Sequence, residues 1–482
     1  MNKRPVSRIA IPRQSALERR RNFDEVALGY TADMALVEAA RCLQCKSAKC
    51  IEGCPVGINI PGFIKAITEN NFPAAVEILK SDNVLPGICG RVCPQETQCE
   101  QLCILGKKGE SVAIGRLERF VADWERLQAR PSSSLRAVAA SGWKVAVVGA
   151  GPAGLTAAAD LARLGHQVTI FESLHTPGGV LKYGIPDFRL PSAIVDEEVT
   201  SIRNLGVSIE LNSVIGKTET VDELLERFDA VFLGTGAGLP LFMHIPGENL
   251  SGVYSANEFL TRVNLMHAYR FPAYDTPVKI GKRVAVIGGG NVAMDAARAA
   301  LRLGAENVYV IYRRSEAEMP ARREEVENAV EEGIDFVFLA NPVKFLGDEK
   351  RNLAGVECIR MQLAEPDSSG RRRPVPLEGS HFRLDLDVAV VALGTTPNPL
   401  IARSTPGLAV TRRGTLVCDE ATGRTTRPYV WAGGDAVTGS ATVISAMGAA
   451  RTAARDIDRY LRRAAGSSPV WRQGPAGIDG QL

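Results

Sequence analysis

Eight of the ten cysteines in this 482-residue chain are crowded between Cys42 and Cys103. The first group reads Cys42-x2-Cys45-x4-Cys50-x3-Cys54-Pro55, and the second reads Cys89-x3-Cys93-Pro94-x4-Cys99-x3-Cys103. Soft thiolate donors match iron and share its charge, and a Cys-Pro corner turns the backbone around an inorganic core, so this spacing suits 4Fe-4S clusters. Eight thiols nominally serve two of them. Structural zinc and buried free thiols are the other readings, but zinc sites usually pair two C-x2-C motifs or add histidines. Here only one C-x2-C occurs, and none of the five histidines lies near these cysteines. Cys358 and Cys418 are isolated in apolar segments and read as small buried hydrophobes.

Two glycine-rich turns carry a different chemistry. Val145 to Val148 leads into Gly149-x-Gly151-Pro152-Ala153-Gly154. The first glycine makes the tight turn, the second lets the backbone approach a pyrophosphate at a helix N-terminus, and the third lets helix and strand pack closely. Glu172 closes the next strand, where a carboxylate accepts ribose hydroxyls, and Gly178-Gly179 follows at once. Downstream, Val430 to Asp435 and Thr442 to Ala450 repeat a strand, glycines, an acid and a helix start. A helix N-terminus there would stabilise negative charge on a reduced flavin ring; the bland reading of that segment is an ordinary strand-turn-helix. Together the two segments favour FAD, with Gly149, Gly151, Pro152, Ala153, Gly154, Glu172, Gly178, Gly179, Gly234, Thr235, Gly236, Gly434, Asp435, Thr442 and Val443 as candidate contacts.

The second turn, Gly288-Gly289-Gly290-Asn291-Val292-Ala293, has alanine in the third place, as the fingerprint permits. Where an NAD site would place a carboxylate, the chain has Tyr312-Arg313-Arg314. Guanidinium forks bind a 2′-phosphate that a carboxylate would repel, so NADPH is the expected ligand, with Gly394 as a further contact. Two solvated arginines at a strand end are the structural alternative.

Elements that could position these residues are visible around them. The segment before about 130 mixes short helical signals with Cys-Pro corners and lacks period-2 strands, which predicts a small helical unit. From Trp143 the chain reads strand, glycine turn, helix, strand, and the same β-α-β grammar returns at Lys282. At roughly 150 residues per domain the length allows about three domains, and 45% hydrophobic residues exclude full-length disorder. Lys plus Arg at 57 against Asp plus Glu at 54 leaves +3, too balanced for a dedicated nucleic-acid binder. No secretory signal or membrane-spanning run is found, so a cytoplasmic location without membrane contact is expected. A linker is expected at Pro131–Ser134 and a mobile tail over 464–482.

The two cysteine groups, RNFDEVALGY from Arg21, GAGPAG with LKYGIPDFRL, GGGNVAMD with YRR, and WAGGDAVTG together resemble the small (beta) subunits of bacterial NADPH-dependent glutamate synthase. These motifs are shared with the N-terminal half of dihydropyrimidine dehydrogenase and the large subunits of sulfide dehydrogenase and NADH-dependent ferredoxin:NADP oxidoreductase. The resemblance implies an α/β fold with two Rossmann-like domains in an adrenodoxin-reductase-like arrangement, the NADPH domain inserted in the FAD domain, preceded by a helical domain with two 4Fe-4S clusters. The implied divisions are 1–135 for the iron-sulfur domain, 142–278 and 395–463 for the FAD domain, 279–394 for the inserted NADPH domain, and 464–482 for the tail.

The resemblance also implies a ligand set: Cys42, Cys45, Cys50 and Cys103 on the first cluster, and Cys54, Cys93, Cys99 and Glu118 of IGRLERF on the second, with Cys89 spare. Hydride passes from NADPH to FAD with no catalytic side chain, and electrons then leave singly to a large (alpha) subunit carrying FMN, where 2-iminoglutarate becomes glutamate. That implies a hetero-oligomer. With Met1-Asn2 at its start, the chain is not expected to carry the N-terminal cysteine nucleophile of the glutaminase kind. Alternatives are the equivalent subunit of a ferredoxin:NADP oxidoreductase or sulfide dehydrogenase and, from another class, a zinc-stabilised nucleotide-binding regulator without turnover.

Overall fold

The computed structural model describes residues 7–128, 139–367 and 370–464; the expected linker at 131–134 and the tail beyond Ala464 lie outside them. Residues 7–128 are helical, apart from an isolated bridge between Arg13 and Ala27. Side-chain oxygens start several of these helices. Thr31 caps Ala32–Ala39, Asn59 caps Ile60–Thr68 and Asn71 caps Phe72–Asp82, each accepting from a backbone N–H three residues on. Proline lies in the first turn of the latter two helices and of Pro86–Val92. Phe63, Ile64, Ile67, Leu79, Ile88 and Leu117 are buried together, each contributing roughly 1.5 to 3 kcal/mol of apolar burial. Their core continues without a break into one face of the first sheet, through Val145, Val147 and Met447.

That first sheet is parallel, in the order Val430–Ala432, Ala230–Leu233, Lys144–Val148, Gln167–Phe171, Ser208–Glu210. Its outermost strand, 430–432, returns only after the whole second unit, so the second unit is an insertion. The second sheet is also parallel, in the order Val253–Ser255, Val388–Val391, Arg283–Ile287, Asn307–Tyr312, Asp335–Phe338. The near-continuous apolar strands 144–148 and 283–287 are central in their sheets and covered on both faces.

The expected division at 278/279 is corrected by this pairing. Val253–Ser255 is hydrogen-bonded to Val388–Val391, with Tyr254 opposite Val390, and therefore belongs to the second sheet. Three residues are too short for period-2 alternation to register. An antiparallel pair, Leu239–Pro240 with Thr395–Thr396, forms the crossing between the units. A three-stranded antiparallel sheet of Ala340–Gly347, Leu353–Pro366 and Arg372–Asp385, which no β-α-β pattern announces, is attached to the second unit.

Ion pairs join the three units. Arg19 of the helical unit is buried against Glu332 of the second nucleotide unit at 3.0 Å, and Arg189 of the first nucleotide unit meets Asp295 of the second at 2.6 Å. Among the described residues no helix is long and apolar enough to cross a membrane.

Candidate functional site

The first cradle is built around glycines, and at Gly149 and Gly154 a side chain would collide with backbone. Gly149 has φ +101°, and a Cβ there would lie 2.6 Å from the Gly234 carbonyl oxygen; a Cβ at Gly154 would lie 1.8 Å from that of Gly149. Gly151 has nothing within 4 Å of the corresponding position, which leaves open space beside the start of helix Pro152–Arg163. No side chain caps that helix, so its first N–H groups remain for a ligand anion.

Three distant segments close around the same point. Gly179, at φ +55°, would put a Cβ 2.9 Å from the Gly151 Cα, Gly434, at φ +69°, would put one 2.9 Å from the Ala153 Cβ, and Gly234 would put one 3.2 Å from the Gly154 nitrogen. Thr235 and Gly236 continue from there into the loop after strand 230–233. Glu172 is buried at the end of its strand and accepts from Ala150 N at 2.7 Å and Leu174 N at 2.8 Å. These bonds fix its carboxylate at the mouth of the cradle. Asp435 is pushed up to about 6 by burial. Thr442 Oγ1 accepts from Ser445 N at 3.2 Å and so starts helix Val443–Ala464 beside the same cradle. The extended shape of the cradle and its run of bare backbone fit a dinucleotide such as FAD.

In the second cradle Gly288 has φ +148°, and a Cβ there would lie 2.4 Å from the Ala392 carbonyl oxygen. Gly289 lies against the Tyr312 ring, and Gly290 precedes helix Asn291–Arg302, again without a side-chain cap. Val292 is exposed at the mouth, Ala293 is buried against the sheet, and Gly394 has φ +105° on the neighbouring loop.

The two arginines after strand 307–312 are not equivalent in their surroundings. Arg313 is exposed. Arg314 is buried, with Nη2 2.5 Å from Asp367 and Nε donating to the Arg372 carbonyl at 2.8 Å. Its guanidinium holds the antiparallel sheet to the second unit, whereas Arg313 faces solvent.

The cysteines form two separate groups. Burial, followed by the neighbouring Cys103, Cys42 and Cys45, pushes the Cys50 thiol up to about 11, which places these four together; all are half-buried. The second group lines an enclosed cavity. Cys54, Cys93, Cys99 and Glu118 share its walls with Phe63, Gln95, Gln98 and Ile444. Burial pushes the Cys54 thiol up to about 11 and raises that of Cys99 well above its ordinary value, and it pushes the Glu118 carboxyl up to about 8 although Asn83 Nδ2 donates to it at 2.6 Å. Groups so reluctant to ionise need a nearby cation, and iron in a cluster supplies that charge as it displaces their protons.

Cys89 is fully buried in side-chain hydrogen-bond contact with Cys93, and its Sγ also lies 3.5 Å from Met447 Sδ. The thiols of both groups are donors of the kind that 4Fe-4S clusters take.

Residues 19–130 match the family described as dihydropyrimidine dehydrogenase domain II, 4Fe-4S cluster, and residues 143–453 match pyridine nucleotide-disulphide oxidoreductases. The chain is 42% identical to the NADP(+)-dependent formate dehydrogenase subunit beta of Moorella thermoacetica over 88% of its own length, but spans only 61% of that protein. To the glutamate synthase [NADPH] small chain of Halomonas elongata it is 37% identical, covering 93% of this chain and 95% of that one. Among solved structures, Mycobacterium tuberculosis FprA in complex with NADPH shares the fold of 68% of this chain and 86% of its own, with a TM-score of 0.58 at 22% identity. The two glycine cradles, the cysteine groups and these matches place the chain in the glutamate synthase small-chain family of NADPH-dependent oxidoreductases carrying FAD and 4Fe-4S clusters.

Proposed function

We propose that this chain is the NADPH-oxidising electron-input subunit of a glutamate synthase, delivering electrons to a large subunit that carries FMN and forms glutamate from 2-iminoglutarate. The observation that carries the reading is the shared wall between two sites. Ile444 lines the cavity of Cys54, Cys93, Cys99 and Glu118, and it belongs to the helix whose start, Thr442 and Val443, borders the first cradle. Gln98 reinforces that wall, its Nε2 3.4 Å from Thr442 Oγ1. A flavin in the first cradle and a cluster in the cavity are then neighbours.

FAD, when bound, supplies the exchange of one hydride for two single electrons. The protein's part is positional. The bare N-terminus of helix 152–163 holds the flavin nucleotide's pyrophosphate, Glu172 holds its ribose, Asp435 and Thr442 face its ring, and Arg313 holds the 2′-phosphate of NADPH beside Gly288–Gly290. Cys54, Cys93, Cys99 and Glu118 hold the cluster nearer the flavin; Cys42, Cys45, Cys50 and Cys103 hold the outer one. The outer group is half-exposed and flanked by exposed Leu43, Leu102 and Ile104, which suits contact with a partner.

A second reading has its own support: the identity to a formate dehydrogenase subunit is higher than that to the small chain, so the same electron-input unit could serve another partner. Stopped-flow flavin reduction by NADPH, run beside steady-state glutamate formation, separates the two. The isolated chain is expected to reduce artificial acceptors and make no glutamate until a large subunit is added. A Cys45→Ser chain is expected to keep flavin reduction and lose glutamate formation. Wild-type glutamate synthesis by that variant overturns the role of the clusters, and failure of large subunits to accept electrons from the intact chain favours the second reading.

A further inference from the structure

Arg322 reaches from the second nucleotide cradle to the wall of the second cysteine group. Its backbone N–H donates to Asn291 Oδ1 at 2.8 Å, and Asn291 is the first residue of the helix that opens the cradle. The preceding residue, Ala321, donates its N–H to the Gly289 carbonyl at 3.2 Å, so residues 321 and 322 are hung on the cradle itself.

The Arg322 side chain points the other way, into the iron-sulfur unit, with only 9% of it exposed. Its Nη1 donates to the Arg91 carbonyl at 3.1 Å, its Nη2 to Gln95 Oε1 at 3.0 Å, and its Nε faces Glu96 at 3.4 Å. Gln95 is buried, lines the cavity of Cys54, Cys93, Cys99 and Glu118, and donates to the Cys89 carbonyl at 3.2 Å. It is also wedged against the helix that carries Glu118: a Cβ on Gly115 would lie 2.2 Å from the Gln95 Nε2. Two side chains, Arg322 and Gln95, therefore span from the cradle to the cluster wall without passing through the flavin site.

The geometry points to Arg322 as a positioning residue that links nucleotide occupancy of the second cradle to the electron affinity of the second cluster. This deepens the proposed function and rests on it. The Arg322 guanidinium, paired with Glu96 and with Glu324 at 3.5 Å, is the member of that charge cluster hydrogen-bonded to Gln95, so a change in its position changes the potential where reduction adds negative charge. A dinucleotide that engages the helix N-terminus at Asn291 shifts the loop from which that guanidinium hangs, and thereby changes its field at the cluster. Linkage makes the effect reciprocal: cluster reduction must change nucleotide affinity by the same factor. Only arginine presents donors to three acceptors in one fork, so lysine cannot substitute.

The test uses the full chain loaded with flavin and iron, with 2′-phospho-ADP-ribose as the probe, because it has the pyrophosphate and 2′-phosphate but no reducible ring. Redox titrations followed by EPR, with and without the probe, give the ratio of its dissociation constants for the oxidised and reduced second cluster. The wild-type ratio is expected to be about fivefold or more, within the usual range of coupling between sites. It is expected to fall below about twofold in Arg322→Gln and in Arg322→Lys, and to persist in Arg13→Gln, which loosens the same helix, 323–331, from its other end.

A wild-type ratio near one, or a ratio retained in the Arg322 variants, overturns the linkage. Equal loss in Arg13→Gln also overturns it, because docking of the units would then be the cause. Should Arg322→Gln fail to assemble, the lysine variant decides. Iron and flavin counted in the same samples separate the two levels: a full complement without a shift overturns the linkage alone, whereas missing cofactors in the wild type overturn the proposed function as well.

Discussion

Arg314 and Asp367 meet at 2.5 Å across the seam between the second cradle and its antiparallel sheet. The contact divides the labour of two adjacent arginines. Arg313→Ala is expected to lower kcat/KM for NADPH about tenfold to a hundredfold, the worth of one or two charge-assisted hydrogen bonds to phosphate, and to leave the NADH value nearly unchanged. Arg314→Ala removes a buried structural contact and should lower Tm, with both nucleotides affected alike. A selective loss of NADPH in the Arg314 variant and none in the Arg313 variant would falsify this assignment.

That division was not legible in the sequence, where Arg313 and Arg314 look interchangeable. The partner of Arg314 lies 53 residues further on, in a sheet that the sequence pattern conceals. Pro374 and Pro376 interrupt the strand Arg372–Asp385, and the ladder breaks register between Ile359 and Met361 and again between Leu363 and Pro366, so simple alternation fails there. Glycine turns and cysteine groups are different. Gly149, Gly154 and Gly288 are required by backbone geometry and close approach, constraints local enough to leave a fixed spacing. The Gln98–Thr442 and Arg322–Gln95 contacts join units hundreds of residues apart, and no local pattern encodes them.

Glu118 stands in the cavity wall with Cys54, Cys93 and Cys99, whereas Cys89 packs on Met447. Glu118→Ala should therefore lose about half of the chain's iron while Cys89→Ser keeps all of it, since a cluster with one ligand missing binds less firmly. Iron per flavin in the purified variants measures this. The reverse pattern, with iron lost from the Cys89 variant only, would move the fourth ligand to Cys89.

Glu198 gives the fold a pH dependence separate from the cofactors. It accepts the Gly87 N–H at 2.8 Å between the helical and first nucleotide units, and burial pushes its carboxyl up to about 7 although Lys80 and Arg91 oppose the shift. A raised carboxyl holds its proton longer in the folded state than in the unfolded one, so stability falls as pH rises from the ordinary carboxylate range through about 7. Glu198→Gln keeps an acceptor for Gly87 and removes the titration. Between about pH 5.5 and pH 8.5 the variant should gain on the order of 2 kcal/mol relative to wild type, read as a widening gap in Tm. A gap that stays constant across this range rules out Glu198 as the titrating group.

The outer cysteine group has the surroundings of an exit to another protein. Leu43, Leu102 and Ile104 are 38%, 42% and 51% exposed beside Cys42 and Cys103, and exposed Lys46, Lys107 and Lys108 lie close to them in the chain. Apolar side chains ringed by charge are typical of an interface centre, where truncating a single anchor costs about 1 to 2 kcal/mol or more. Leu102→Asp combined with Ile104→Asp should leave NADPH oxidation with small artificial acceptors unchanged, because neither residue reaches the nucleotide cradles. Glutamate formation with the large subunit should fall by at least about tenfold through a higher half-saturating concentration of that subunit. The lysines should make the wild-type interaction weaken with added salt. Val410→Asp, a substitution at an equally exposed apolar residue on the first nucleotide unit, serves as the control and should have no effect. If the double variant couples to the large subunit as tightly as wild type, electrons leave through another face and the half-exposed cysteine group is not the docking point.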